Sequence, residues 1–362
     1  MSPSPVSWSP SFAPGDPAPW FTAATPATQL FHFSTVVGRY TVLGFLPPPG
    51  PAREAALAAV QSRRGLFDDD KVFAFFVIRD ADSIAQAQNQ PPGLRWFFDP
   101  DGAISRLYGV LDADGAEHPF WLLLDPSHRT LGAYPIGETD ALMAAVVALP
   151  ALADYAGAEL VAPVLVLPRV IEPEVCRRLI DLYDAHGGAP SGVMRDIGGR
   201  TVGVLDDFKK RRDMTIEDAD LRQGLLQRIS RRIAPEIAKV FQFKVTRVER
   251  YIVACYDAAE GGYFRPHRDN ETLGTMHRKF AVSINLNAEE HEGGDLRFPE
   301  FGPRTYRPPT GGAVIFSCSL QHEATPVTRG RRYAFLPFLY DEAGQAVRTA
   351  NFAHLERLAQ EA

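Results

Sequence analysis

His267, Arg268 and Asp269 place an imidazole and a carboxylate two residues apart. On a strand or strand end, residues two apart project from the same face, so these two groups converge on one point. A lone His-x-Asp is common by chance and acquires chemistry only with a third donor from a distant strand. His322 supplies that donor. Two histidines and one carboxylate on one face of an octahedron leave three positions open, the donor pattern of non-haem Fe(II) centres that activate O2. A closed tetrahedral zinc site has no use for that room. If 2-oxoglutarate fills two of the open positions, its far carboxylate needs a cation. Arg332 lies one strand beyond His322. A guanidinium forks onto a carboxylate through charge-assisted hydrogen bonds of about 1.5–3 kcal/mol. Arg331 competes for that role. Strand alternation sets Arg332 on one face with Ala334 and Leu336, and leaves Arg331 to solvent or to a turn.

The elements around these residues read as all-β. Short apolar segments near residues 250–255, 280–286, 295–298, 313–316 and 333–339 are separated by turns rich in Gly and Pro. That rhythm predicts a β-sandwich or jelly roll rather than a parallel sheet. Upstream, residues 164–167 read as a strand, and 174–185 and 218–240 as helices. The first part of the chain has another texture. Continuous apolar runs at 40–46, 72–78 and 120–124 read as strands buried on both faces, and they alternate with helical patterns at 52–61 and 139–149. The expected class is thus α+β in two domains: an α/β domain over 12–149, a linker over 150–162, a β-rich domain with flanking helices over 163–345, and a helix or tail over 346–362.

Of the 362 residues, 45% are hydrophobic and 23% charged, enough apolar material for two cores. A net charge of -6 argues against a general nucleic-acid or membrane-surface role. The exception is the run Lys209, Lys210, Arg211 and Arg212, which reads first as a solvated loop; in the other reading Arg211 and Arg212 contact an acidic substrate. Three scattered cysteines, Cys176, Cys255 and Cys318, form no disulfide framework or CxxC zinc pattern and read as small buried hydrophobes. No apolar run reaches the ~18 residues of a membrane span, and the Ser- and Pro-rich start lacks the pattern of a signal peptide. A cytoplasmic protein is expected. His186, His277 and His291 read as surface histidines.

The motifs in the second half also occur in a family order. The segment Gly261 to Asn270, the strand Phe280 to Asn287, the turn Glu292-Gly293-Gly294-Asp295-Leu296, and the segments Gly311 to Phe316 and His322 to Arg332 together resemble prolyl-4-hydroxylase-like Fe(II)/2-oxoglutarate oxygenases. Residues 171–180 resemble that family's leading helix. The resemblance implies a double-stranded β-helix and a hydrogen-bond donor to 2-oxoglutarate at Tyr256. It further implies hydroxylation of a C–H bond in an amino acid, peptide, protein or small metabolite. Fe(II), 2-oxoglutarate and O2 are the implied reactants, 2-oxoglutarate being converted to succinate, with ascorbate as a supporting reductant. The Gly261-Gly262 loop and residues 195–214 are expected as lids.

In the first half, the segments Gly15 to Phe21, Tyr40 to Pro47, Asp99 to Val110 and Phe120 to Pro126 resemble peroxiredoxins, which implies a thioredoxin-like fold. The loop after Pro47 reads Pro48-Pro49-Gly50-Pro51-Ala52-Arg53-Glu54, without the peroxidatic cysteine, and no cysteine precedes Cys176. Thiol peroxidase chemistry needs a thiolate, and neither serine nor threonine replaces it. The expectation is a redox-inactive module for substrate docking, partner binding or homodimerisation. The rival from another class, a non-catalytic scaffold built of two decayed domains, leaves four retained site positions unexplained.

Overall fold

The computed structural model describes residues 12–352, so the last ten positions of the expected carboxy-terminal tail lie outside the described residues. The chain divides into two compact units. One runs to Leu160 and includes Pro299–Pro303; the other comprises Val161–Phe298 and the chain from Arg304 onward.

In the first unit, five strands form one mixed sheet in the order Leu94–Phe98, Val72–Ile78, Tyr40–Phe45, Phe120–Leu124, Thr130–Pro135. The first three are parallel, Phe120–Leu124 runs antiparallel to them, and Thr130–Pro135 runs antiparallel to Phe120–Leu124. Every residue of Tyr40–Phe45, Val72–Ile78 and Phe120–Leu124 is buried, as their uninterrupted apolar sequences predict. One face packs against the helices Pro51–Ser62 and Thr139–Val147 through Ala56, Val60, Leu142, Met143 and Val146. The other face carries an aromatic core that includes Phe33, Phe75, Phe97 and Tyr108. Pro51 suits the first turn of its helix, where its missing N–H would have no partner in any case. Residues 150–162 contain neither helix nor strand.

The second unit is built on antiparallel sheets. A nine-stranded sheet includes Ile252–Asp257, Phe280–Asn285, Ala313–Ser317 and Arg331–Phe335. A five-stranded sheet runs in the order Lys209–Lys210, Tyr263–His267, His322–Ala324, Leu296–Arg297, Thr305–Tyr306. Alternation along the larger sheet sorts its side chains. Val253, Cys255, Val282, Ile284, Tyr333 and Phe335 join a core with Cys176, Leu179 and Ile180 of the helix Pro173–His186 and with Leu221, Leu225 and Ile229. Ala254 and Tyr256, on the opposite face, cluster instead with Phe264, Ala324 and Val327. The helix Pro173–His186 stops at Gly187, whose φ of 82° is the left-handed conformation a side chain would resist.

The expected helices are corrected here. The single helix expected over 218–240 is two, Ala219–Arg232 and Ala234–Phe241. Pro235 has no N–H and its ring excludes the carbonyl one turn back, so the first helix ends and Pro235 opens the second. The segment expected as a lid over 195–214 holds a hairpin, Val193–Ile197 paired with Arg200–Val204, turned by Gly198 and Gly199 at φ 59° and 77°. The helix Glu342–Ala350 begins inside the β-rich unit as delimited above rather than after it. Among the described residues no helix is long and apolar enough to cross a membrane.

Candidate metal centre and the surrounding charges

His267 ends the strand Tyr263–His267 and lies directly opposite His322, the first residue of His322–Ala324. Asp269 follows two residues later, its backbone N–H donating to the carbonyl of Cys318 at 3.0 Å. One donor atom from each of His267, Asp269 and His322 lies within 4.8 Å of the others. Nε2 of His322 is 3.3 Å from Oδ2 of Asp269, and Nε2 of His267 is 3.7 Å from Oδ1. The other ring nitrogens are committed elsewhere. Nδ1 of His267 lies 2.8 Å from the Arg265 carbonyl and Nδ1 of His322 lies 3.1 Å from the Leu320 carbonyl. Each Nδ1 therefore donates, and each Nε2 presents a lone pair.

The protonation states suit a cation as well. Burial, reinforced by His322, holds His267 well below its ordinary value and hence neutral. Burial pushes the Asp269 carboxyl the other way, but His322 and His267 outweigh it and keep the carboxylate ionised. A neutral imidazole at His267 and an ionised carboxylate at Asp269 are the states in which such ligands bind a metal. The donor set fits Fe(II).

Arg332 is 3% exposed and sits opposite Tyr256 on the neighbouring strand. Its Nη2 donates to Ser283 Oγ at 2.9 Å, and its Cζ lies 5.2 Å from the Tyr256 ring centroid. Among the described residues no carboxylate lies within ion-pair distance of it. A buried guanidinium bonded only to a hydroxyl calls for an anion. Arg331 points the other way: its side chain is 57% exposed and its Nε lies 2.8 Å from Oδ2 of Asp257. Tyr256 is buried, and its hydroxyl accepts from Nη1 of Arg211 at 3.3 Å.

The basic run is not a solvated loop. Lys209 and Arg211 are each 7% exposed, and Lys209, Arg211 and Asp213 alternate inward along one strand path. Arg211 Nη2 donates to Asp213 Oδ2 at 2.8 Å and its Nε lies 2.7 Å from Oδ1, so Arg211 is paired with Asp213 rather than presented to a substrate. Arg212 is not brought to the triad. It lies opposite Cys255, on the helix-packed face, and donates to the carbonyls of Gly187 and Gly188.

Two histidines are likewise relocated. His277, 2% exposed, lies 2.9 Å from Glu249 Oε2, and Arg278 holds the other oxygen of that carboxylate at 2.6 Å. His291, 3% exposed, has been pushed down to about 4 by burial and by Arg332 and Arg307. His186 is exposed, as expected. Sequence reasoning read Lys209 as part of a solvated run and did not single out Asp213, Ser283 or Phe264. The inward alternation of residues 209, 211 and 213 was the available signal.

Residues 251–340, which contain the triad, Arg332 and Tyr256, match the 2OG-Fe(II) oxygenase superfamily. A PKHD-type hydroxylase of Synechococcus sp. (strain JA-2-3B'a(2-13)) is 28% identical over 93 residues, covering 24% of this chain and 41% of the relative. That of Acidovorax ebreus is 28% identical over 145 residues, covering 38% and 63%. That of Cupriavidus metallidurans is 34% identical over 95 residues, covering 24% and 42%. The chain thus spans between about two fifths and two thirds of the length of these relatives. Among solved structures, a prolyl hydroxylase of Trichoplax adhaerens in complex with a hypoxia inducible factor peptide aligns with a TM-score of 0.39 and 16% identity, over 51% of this chain and 86% of that one. A chain assigned as a thiol:disulfide interchange protein of Chlorobium tepidum aligns with a TM-score of 0.32 and 22% identity, over 38% and 98%. Residues 251–340, which hold the triad, are thus similar to the 2OG-Fe(II) oxygenase superfamily.

Proposed function

We propose that the second unit is a hydroxylase in which His267, Asp269 and His322 hold Fe(II) and Arg332 binds the distal carboxylate of 2-oxoglutarate. The observation that carries this reading is Arg332, a buried guanidinium without a carboxylate partner, on the sheet that faces the triad's cluster through Tyr256. With O2, the bound metal and cosubstrate supply oxidation of a substrate C–H bond coupled to decarboxylation of 2-oxoglutarate to succinate. The chain's own residues position and shield. The Arg265 and Leu320 carbonyls fix the histidine tautomers, Ser283 orients the guanidinium, and Tyr256, held by Arg211, offers its hydroxyl proton toward the cosubstrate. Phe264, stacked on His267 at 3.4 Å between centroids, and Phe316, 4.5 Å from His322, wall the ligands from water.

The antiparallel sheets of this unit are read as the double-stranded β-helix of the oxygenases, and Arg332 rather than Arg331 is taken as the anchor. The substrate class is an amino acid, a peptide or protein residue, or a small metabolite. For the first unit we favour a thioredoxin-like, redox-inactive docking or dimerisation role, because the loop after Pro47 and everything up to Cys176 lack cysteine. The test is anaerobic addition of Fe(II) and 2-oxoglutarate to the full chain. A weak visible charge-transfer band should appear, and His267→Ala should abolish it; a wild-type chain that shows no band and releases no succinate in air refutes the reading.

A further inference from the structure

Lys209 opens the five-stranded sheet that carries both histidines, opposite Phe264 on the strand that ends at His267. Its Nζ donates to Ser191 Oγ at 2.9 Å and to the Gly192 carbonyl, and stands 4.9 Å from the Phe264 ring centroid. That same ring stacks on His267. Both hydrogen-bond partners are neutral, and among the described residues no carboxylate pairs with this ammonium.

The charges around it can be matched one by one. Arg211 is matched by Asp213, on which Arg250 also leans at 3.1 Å. On the oxygenase reading, Fe(II) is matched by Asp269 and the 1-carboxylate of 2-oxoglutarate, and Arg332 by its distal carboxylate. Iron and cosubstrate together add no net charge. Arg250 at least shares Asp213, whereas Lys209 has no carboxylate within ion-pair distance among the described residues. Burial, and then the neighbouring Arg211, push its ammonium down to about 6, so at neutral pH the ligand-free chain holds it largely as the amine, and a carboxylate arriving beside it would restore the proton. A buried cation persists at a cost unless something anionic completes it.

We propose that Lys209 binds the carboxylate of the substrate, so that this site hydroxylates a small carboxylic acid, an amino acid included, held by its acid group one aromatic ring from the metal ligands. The inference rests on the oxygenase reading and names the substrate chemistry of that site. Ser191 and the Gly192 carbonyl hold the ammonium, and the Phe264 ring, stacked on His267, stands next to both.

The experiment is calorimetric. Full-length protein with Fe(II) and saturating 2-oxoglutarate, without oxygen, is titrated with acetate, butyrate, hexanoate and N-acetylglycine, each against its amide. At least one acid should bind about tenfold to hundredfold more tightly than its amide, the range of one charge-assisted contact. Lys209→Met and Lys209→Gln should both erase that preference while 2-oxoglutarate affinity stays within about threefold. In the ligand-free chain, Lys209→Met should raise or preserve Tm, because it replaces a buried amine whose charged form burial penalises with an apolar chain of similar length; a merely structural lysine would lower it. The inference is overturned if no acid outbinds its amide, if either variant keeps the preference, or if the Met variant loses several degrees of Tm. Loss of 2-oxoglutarate binding in the wild type would instead sink the oxygenase reading itself.

Discussion

Replacing Arg332 probes the site most directly. The guanidinium is 3% exposed and spends one donor on Ser283 Oγ at 2.9 Å, which leaves the rest of its fork for a carboxylate. Lysine keeps the charge but cannot reproduce two parallel N–H···O bonds. Losing one such bond should cost about 1.5–3 kcal/mol, roughly a tenfold to 150-fold rise in Kd for 2-oxoglutarate. Arg332→Met leaves the distal carboxylate buried without a partner, a loss of about 3–5 kcal/mol and roughly two to four orders of magnitude in Kd. The ligand-free Met variant should unfold no earlier than wild type, since its substitution removes an uncompensated charge. The control is Arg331→Ala, which removes an exposed pair with Asp257 of about 0–1 kcal/mol and should leave 2-oxoglutarate affinity unchanged. Anaerobic calorimetry with Fe(II) reads all three. An Arg332→Lys chain within threefold of wild type, or an Arg331→Ala chain as weakened as Arg332→Lys, would refute the anchor.

Other perturbations have equally definite outcomes. Burial raises the Glu249 carboxyl, but His277 and Arg278 outweigh it and bring it from 4.5 down to about 2. A carboxylate depressed in the folded state contributes stability above its unfolded pKa and loses it as pH falls through the folded one. Glu249→Gln should therefore cost roughly 3 kcal/mol at neutral pH, and its urea stability should converge on wild type between pH 4.5 and 2; parallel curves would contradict this. In the first unit, a methyl group on Gly44 would overlap the indole of the fully buried Trp121. Gly44→Ala should cost about 1–3 kcal/mol, seen as an earlier thermal transition by near-ultraviolet circular dichroism.

What the sequence revealed and concealed follows from the range of the interactions. His267 and Asp269 were legible because two-residue spacing fixes a shared face locally, and the inward setting of Arg332 followed from the same alternation. The paired strands of the first unit were legible because no polar residue interrupts 72–78. The break at Pro235 was visible too, had the missing N–H been weighed against the apolar periodicity. His277 was not, because its partner Glu249 arrives from a strand far upstream and no local pattern links them. Lys209 and Arg211 were misread because four consecutive cations look like a solvated run, whereas alternation sends every second one inward to Ser191 and Asp213.

Both histidines of the candidate triad spend Nδ1 on the main-chain carbonyl two residues earlier, Arg265 for His267 and Leu320 for His322. Because backbone rather than side chains fixes each tautomer, no replacement of a neighbouring side chain can remove the acceptor that orients the ring. On the oxygenase reading, the side chains around the triad are free to drift while the orientation of both imidazoles stays set. Such a centre can pass from one substrate to another through substitutions around it, with its donor geometry inherited intact.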